Sequence, residues 1–252
     1  MSVGIEQVRR FWEDHVNNEY FTRHDRGSRE YFEEIERRRY RHHYHLPPLF
    51  ERMGGKGGRL LEIGCGIGID TFRLARFGFE EIVAVDLTEV AVEVASERAA
   101  REGLDRVRFE VADAESLPFA DGSFDLVYSF GVLHHTPRIE RAVAEVRRVL
   151  APGGTAYVML YHARSLVNLV HRALRLPYES PKDLEDHCPV VYRFTRRGAR
   201  ELFAGFEQVE ITAAYPFTYG MRLLTRPVPR SLERWLGRRV GWHLMIEATR
   251  AA

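Results

Sequence analysis

The sequence predicts an α/β fold, a mostly parallel sheet with helices on both faces, and three observations predict it. Short apolar runs alternate with helically spaced segments from residue 59 onward, the rhythm of a parallel sheet. One run, Leu60 to Ile63, leads into Gly64-Cys65-Gly66-Ile67-Gly68 and then a helix starting near Ile69. Caps and breakers fall between the runs, among them Thr88, Gly103 and Pro152-Gly153-Gly154.

Each element follows in order. Val3 to Val16 has helical periodicity. Ser28 is placed to cap a helix from Arg29 to about His43, with Glu30 in its first turn. Pro47-Pro48 starts a third helix that leads to Gly54-Gly55. Strands are expected at 60–63, 82–85, 107–111, 124–129 and 155–160. Helices are expected from Ile69, over Thr88 to Arg101 with Thr88 as N-cap, and over Pro137 to Leu150. The rhythm then breaks. Residues 161–193 hold an amphipathic helix at Leu166 to Leu176, then a proline-rich turn region. A helix at 195–203 and a strand at 208–212 precede a second insertion, 216–240, with a short helix around 232–236; 242–249 reads as the last strand. Two units are expected: an N-terminal helical lid, 1–53, and a ligand-binding domain, 54–252, carrying insertions at 161–193 and 216–240.

Composition sets outer bounds. At 252 residues, 45% hydrophobic and 29% charged, the chain is ordinary for a soluble globular protein. A net charge of +1 gives no reason to expect a nucleic-acid partner. Two cysteines without metal-ligand spacing point to a reduced, cytoplasmic setting and to no metal. No apolar run approaches the ~20 residues that span a bilayer.

The glycine turn points to a ligand. Glycine takes positive φ and lets another group lie against the backbone, beside the free N–H groups of a helix start. Dinucleotide sites need Gly-x-Gly-x-x-Gly, but here the glycines are 64, 66 and 68 and position 69 is Ile. Glu62 stands just before the first glycine, where a carboxylate repels pyrophosphate and suits a cationic amine. A zwitterionic ligand such as S-adenosylmethionine fits both features.

Glu-x-Gly-x-Gly-x-Gly resembles the first motif of class I S-adenosylmethionine-dependent methyltransferases. Further stretches carry the same resemblance. Asp86 ends the second strand about 20 residues past the turn, the place for an acid that accepts ribose hydroxyls, with Leu87 beside it. Asp113-Ala114 follows the third strand, where the family's acid accepts from the adenine amine. Ser123 to Ser129 and Leu150 to Gly154 match the strand-four motif and the turn into strand five. Gly131-Val132-Leu133-His134-His135-Thr136 is similar to the ubiquinone/menaquinone-biosynthesis-like branch. The resemblance implies a Rossmann-like class I methyltransferase fold with a seven-stranded sheet, the last strand antiparallel between the fifth and sixth. It implies a cofactor site of Glu62, Gly64, Gly66, Gly68, Asp86, Leu87, Asp113, Ala114 and Ser129, with S-adenosyl-L-homocysteine as product. It also implies an N-terminal segment folded over the cofactor. On that expectation Tyr20, Phe21, His24, Tyr31, Tyr40 and His162 border the acceptor pocket.

The reaction so implied is an in-line displacement, which demands alignment within ~3–3.5 Å and exclusion of water. A hydroxyl acceptor benefits from a general base, and His134 and His135, after strand four, are the candidates. The expected acceptor is a small apolar or aromatic metabolite, such as a quinone precursor, polyketide or other secondary metabolite, methylated on oxygen or carbon; a homodimer is compatible. Three other readings stay open: RNA methylation with Arg37 to Arg41 as a phosphate strip, a non-catalytic S-adenosylmethionine-binding protein, and a dehydrogenase on the same fold.

Overall fold

The computed structural model describes residues 3–15, 22–176, 178, 187–218 and 228–252. Three helices precede the sheet: α1 (Ile5–Asp14), α2 (Arg29–His42) and α3 (Leu46–Gly54). Ser28 Oγ accepts from the Tyr31 N–H at 3.2 Å, the predicted cap of α2, and prolines fill the first positions of α3. Then follow β1 (Arg59–Ile63), α4 (Ile69–Leu74), β2 (Glu81–Asp86), α5 (Glu89–Glu102), β3 (Val107–Val111), β4 (Phe124–Phe130), α6 (Ile139–Val149) and β5 (Leu150–Tyr161). Beyond these lie α7 (Leu166–Leu174), α8 (Arg196–Leu202), β6 (Gln208–Ala214), α9 (Arg230–Val240) and β7 (His243–Thr249).

The seven strands lie in the order β3-β2-β1-β4-β5-β7-β6, with β7 antiparallel to both neighbours and the other pairs parallel. Alternation along β1 sends successive side chains into two cores. Leu61 and Ile63 face Val83, Val127 and the α6 residues Val143 and Val146. Leu60 faces Ile82, Leu126 and the α3 residues Phe50 and Met53. Glu62 shares Leu60's face and is 3% exposed, a carboxylate delivered into the interior by strand geometry.

One predicted cap differs. Thr88 sits at the N-cap of α5 with extended backbone, but its hydroxyl donates to Asp86 Oδ1 at 2.8 Å instead of capping the helix. The buried carboxylate is the stronger acceptor. Among the described residues no helix is long and apolar enough to cross a membrane.

Candidate cofactor and acceptor site

The turn after β1 is tied to β2, since the N–H groups of Gly64 and Cys65 both donate to the Val85 carbonyl, at 2.7 and 3.0 Å. Gly64 has φ +77°, and a Cβ there would lie 2.0 Å from Val132 Cγ2, so the loop after β4 closes directly on bare backbone. Gly66 has φ +52° and nothing within 4 Å of a Cβ position, an open cradle on the cavity side. Asp86 holds this turn in place. Its Oδ2 accepts from the Gly66 N–H at 2.8 Å, and its Oδ1 accepts from the Thr88 N–H at 3.0 Å as well as from the Thr88 hydroxyl. Burial pushes the Asp86 carboxyl up against the pull of these bonds.

A cavity opens over the turn, with an empty volume of about 1080 Å³ including its mouth. Its acidic wall is Glu62, Asp70, Asp86 and Asp113; its floor is Gly64, Cys65 and Gly66, with Leu87 and Ala114 beside them. The apolar side comes from α1, through Ile5, Val8 and Trp12, and from Phe130 at the end of β4 and Val132 just after it. Glu62 Oε2 accepts from the Thr71 hydroxyl at 2.7 Å. Burial, then the neighbouring Asp70, pushes the Glu62 carboxyl up to about 8.

Among the described residues, Arg39 is the one lysine or arginine of the wall. Its Nε donates to Asp70 Oδ1 at 2.6 Å and its Nη2 donates to Asp70 Oδ2. Tyr128 and Tyr40 hydroxyls donate to the same carboxylate at 2.8 and 3.0 Å. Burial works to lower the Arg39 pKa, but the Asp70 charge and hydrogen bonds outweigh it and hold the guanidinium well above its ordinary value. The guanidinium carbon lies 5.2 Å over the Phe130 ring. This buried pair seats α2 on the first turn of α4. Arg39 therefore faces the interior and is not part of the phosphate strip considered for Arg37 to Arg41.

The two histidines after β4 part company. His135 lines the cavity, its ring 5.3 Å from Trp12, with Nδ1 2.8 Å from the Val190 carbonyl and 3.4 Å from Cys188 Sγ. A carbonyl only accepts, so this bond fixes the proton on Nδ1 and leaves Nε2 the basic nitrogen. His134 is fully buried behind it, 3.9 Å from the Tyr161 ring, and is not part of the wall. Burial holds its imidazole well below the ordinary pKa.

Several expected residues lie elsewhere. Gly68 caps α4 with φ +79° and packs on Phe72 and Phe109; Ser129 is buried within β4; neither lines the cavity. Of the expected acceptor-pocket residues, the described ones, His24, Tyr31, Tyr40 and His162, do not line this cavity. Tyr31 packs in a cluster with Ile35, Ile67 and Ile69, since α2 turns that face toward α4 and α5. Tyr40 is bound to Asp70, and His24 is exposed, 3.8 Å from Glu34. His162 is buried with Nδ1 2.9 Å from the Gly241 carbonyl. Tyr20 and Phe21 lie outside the described residues.

The strand order, the glycine turn after β1 and the acid at the end of β2 define a Rossmann-like fold of the class I type. Residues 61–158 match the family model described as "Methyltransferase domain". The 27-O-demethylrifamycin SV methyltransferase of Amycolatopsis mediterranei is 42% identical over 112 residues, covering 42% of this chain and 41% of that protein. Sterol 24-C-methyltransferase ERG6B of Gibberella zeae is 35% identical over 126 residues, covering 49% and 32%. The matches thus span less than half of these relatives' length. The crystal structure of the [4+2]-cyclase SpnF aligns with a TM-score of 0.66 at 22% identity, over 100% of this chain and 98% of that one, a likeness of fold.

Proposed function

We propose that this chain transfers the methyl group of S-adenosylmethionine to a small apolar or aromatic acceptor, on oxygen or carbon. The observation that carries the reading is one cavity with two unlike halves: an acid-walled glycine turn, and an apolar side built by α1 and the loop after β4. The residues present fit the cofactor. Glu62 would take its ammonium group, Arg39 its carboxylate, the open face of Gly66 its backbone approach, and Asp86 and Asp113 its ribose and adenine. Bound there, S-adenosylmethionine supplies an electrophilic methyl group on a sulfonium.

The chain's own residues do the rest. Trp12, Val8, Phe130 and Val132 exclude water and favour an uncharged acceptor face. With its Nδ1–H donated to the Val190 carbonyl, His135, on the cavity wall, is the candidate base for a hydroxyl acceptor. A carbon acceptor would draw on positioning more than on this base. The N-terminal helices act as a lid, α1 over the cavity and α2 fastened through Arg39.

A fold shared with a protein named as a cyclase makes turnover, not binding, the decisive readout. Incubation with S-adenosylmethionine and a panel of phenols, hydroxylated polyketides and prenylated quinols should yield S-adenosylhomocysteine with at least one acceptor. Tight binding without product across the panel would favour a non-catalytic role. Turnover on RNA alone would replace the small-molecule reading.

A further inference from the structure

The outer face of the second insertion is unlike the rest of a chain with a net charge of only +1. Helix α9 packs inward through Glu233, 3% exposed, and through Gly237, which fits closely against Ala214 to Pro216. Its outward stripe is Leu232 and Trp235, each 45% exposed, one turn apart, with Arg230, Arg234, Arg238 and Arg239 around them. The Arg239 guanidinium lies 4.0 Å over the Trp235 ring. Beyond Arg239 the surface continues into a depression lined by His162, Arg164, Arg196, Arg197, Arg200 and Arg239. Arg196 donates to two backbone carbonyls and Arg197 pairs with Glu201. Among the described residues no carboxylate pairs with Arg164, Arg200, Arg234, Arg238 or Arg239. The segment before α7 is tied to the end of α9, since the His162 N–H donates to the Trp242 carbonyl at 2.8 Å. Helix α7 repeats the pattern, with Leu169 and Leu174 63% and 65% exposed and Arg172 and Arg175 exposed beside them.

We infer that this face docks on an anionic phospholipid surface. Unpaired guanidinium groups match lipid phosphates, with the arginine-lined depression as the place for a headgroup. Tryptophan and leucine flanked by arginine are the side chains that settle at the headgroup–acyl boundary, whereas a nucleic acid would use the arginines and leave Leu232 and Leu169 without a role. The inference stands independently of the methyl-transfer reading, since none of these residues lines the cofactor cavity.

The test is flotation of the full chain with vesicles of phosphatidylcholine alone and with about a quarter phosphatidylglycerol, at low and high salt. Binding should require the anionic lipid and weaken with salt. Tryptophan emission should shift to the blue on binding, and that shift should be absent in Trp235→Phe. Arg200→Ala with Arg234→Ala should weaken binding about 30-fold, and Leu232→Ala with Trp235→Ala about tenfold or more. Cofactor binding by the variants, measured alongside, verifies that they fold. No binding to anionic vesicles at low salt overturns the inference. So does binding that the Leu232/Trp235 variant leaves unchanged while a soluble RNA competes it away, which would mark a polyanion site. A stable dimer in size exclusion that the Leu232/Trp235 variant dissolves would assign the face to a second copy instead.

Discussion

Acid should loosen this protein through three imidazoles packed behind the cavity. His43 and His45, between α2 and α3, meet His243 at the start of β7, with ring centroids 5.3 Å apart in both the His43–His243 and His45–His243 pairs. His243 Nδ1 and His45 Nε2 lie 3.3 Å apart, a bond that one neutral ring donates and the other accepts. Tyr215 and Phe130 pack on the cluster, and Arg39, over Phe130, is its nearest fixed cation. Burial, then neighbouring cations, holds all three well below the ordinary histidine value, His45 at about 3. A folded-state pKa below the unfolded value of about 6.5 contributes stability that is present above pH 6.5 and lost as pH falls toward the folded value. Between pH 7 and pH 5 each such histidine should therefore subtract about 2 kcal/mol. Glu62 works in the opposite sense, because a raised carboxyl pKa favours the fold as pH falls from about 8. The clean quantity is thus a difference of differences. His45→Gln with His243→Gln, unfolded in urea at both pH values, should lose about 4 kcal/mol less stability on acidification than the parent. Equal losses in the two proteins would refute neutral burial of these rings.

Three perturbations address the site. Asp86→Ala removes the acceptor of the Gly66 N–H as well as the expected ribose contact, at roughly 1.5–3 kcal/mol for each charged bond. S-adenosylhomocysteine affinity should fall at least about tenfold by calorimetry, and an unchanged dissociation constant would remove Asp86 from the cofactor site. Arg39→Gln leaves Asp70 buried without its cation, so thermal unfolding should show a loss of about 3–5 kcal/mol. The same variant should no longer prefer S-adenosylmethionine over its decarboxylated analogue, and a retained preference would mean that the carboxylate is held elsewhere. His135→Gln should lower turnover of a hydroxyl acceptor by about 10²–10⁴ with little change in cofactor affinity. His134→Gln should act on stability instead, and the reverse pattern in the pH–rate profiles would exchange their roles.

The parts of the site that were legible in the sequence are those where chain geometry is forced. Gly64 and Gly66 announce themselves because glycine takes positive φ without strain and leaves the backbone bare, against Val132 at Gly64 and toward the cavity at Gly66. Asp86 is legible because a strand end followed by a helix start fixes its place. His134 and His135 could not be separated in advance: they are adjacent in a single 3₁₀ turn, Leu133–His135, whose rotation decides which ring meets the cavity. Arg39 was hidden in a run of arginines, yet a signal was there. Phe32, Ile35 and Arg39 fall at i, i+3 and i+7, so the helix period places a charge on its apolar face. A charge on such a face needs a buried partner, and Asp70, in the first turn of the helix that α2 packs on, is that partner.

The cavity draws its walls from different parts of the chain, and this bears on what the relatives can teach. The acid wall and glycine floor, from Glu62 to Asp113, lie inside the matched domain at 61–158. Ile5, Val8, Trp12 and Arg39 lie before it, and Val190, which sets the His135 tautomer, lies after it. The acid wall and glycine floor thus fall within the matched stretch, together with Phe130, Val132 and His135, whereas α1, Arg39 and Val190 are supplied from outside it. One relative is named for an oxygen acceptor and another for a carbon acceptor, although both match this chain over less than half of its length. That is the expected result if the shared stretch holds the methyl donor and the unshared segments choose the acceptor. Exchange of residues 3–15 for the corresponding helix of another enzyme should accordingly change acceptor preference before it changes cofactor affinity. A swap that moved both in proportion would show that α1 belongs to the cofactor half after all.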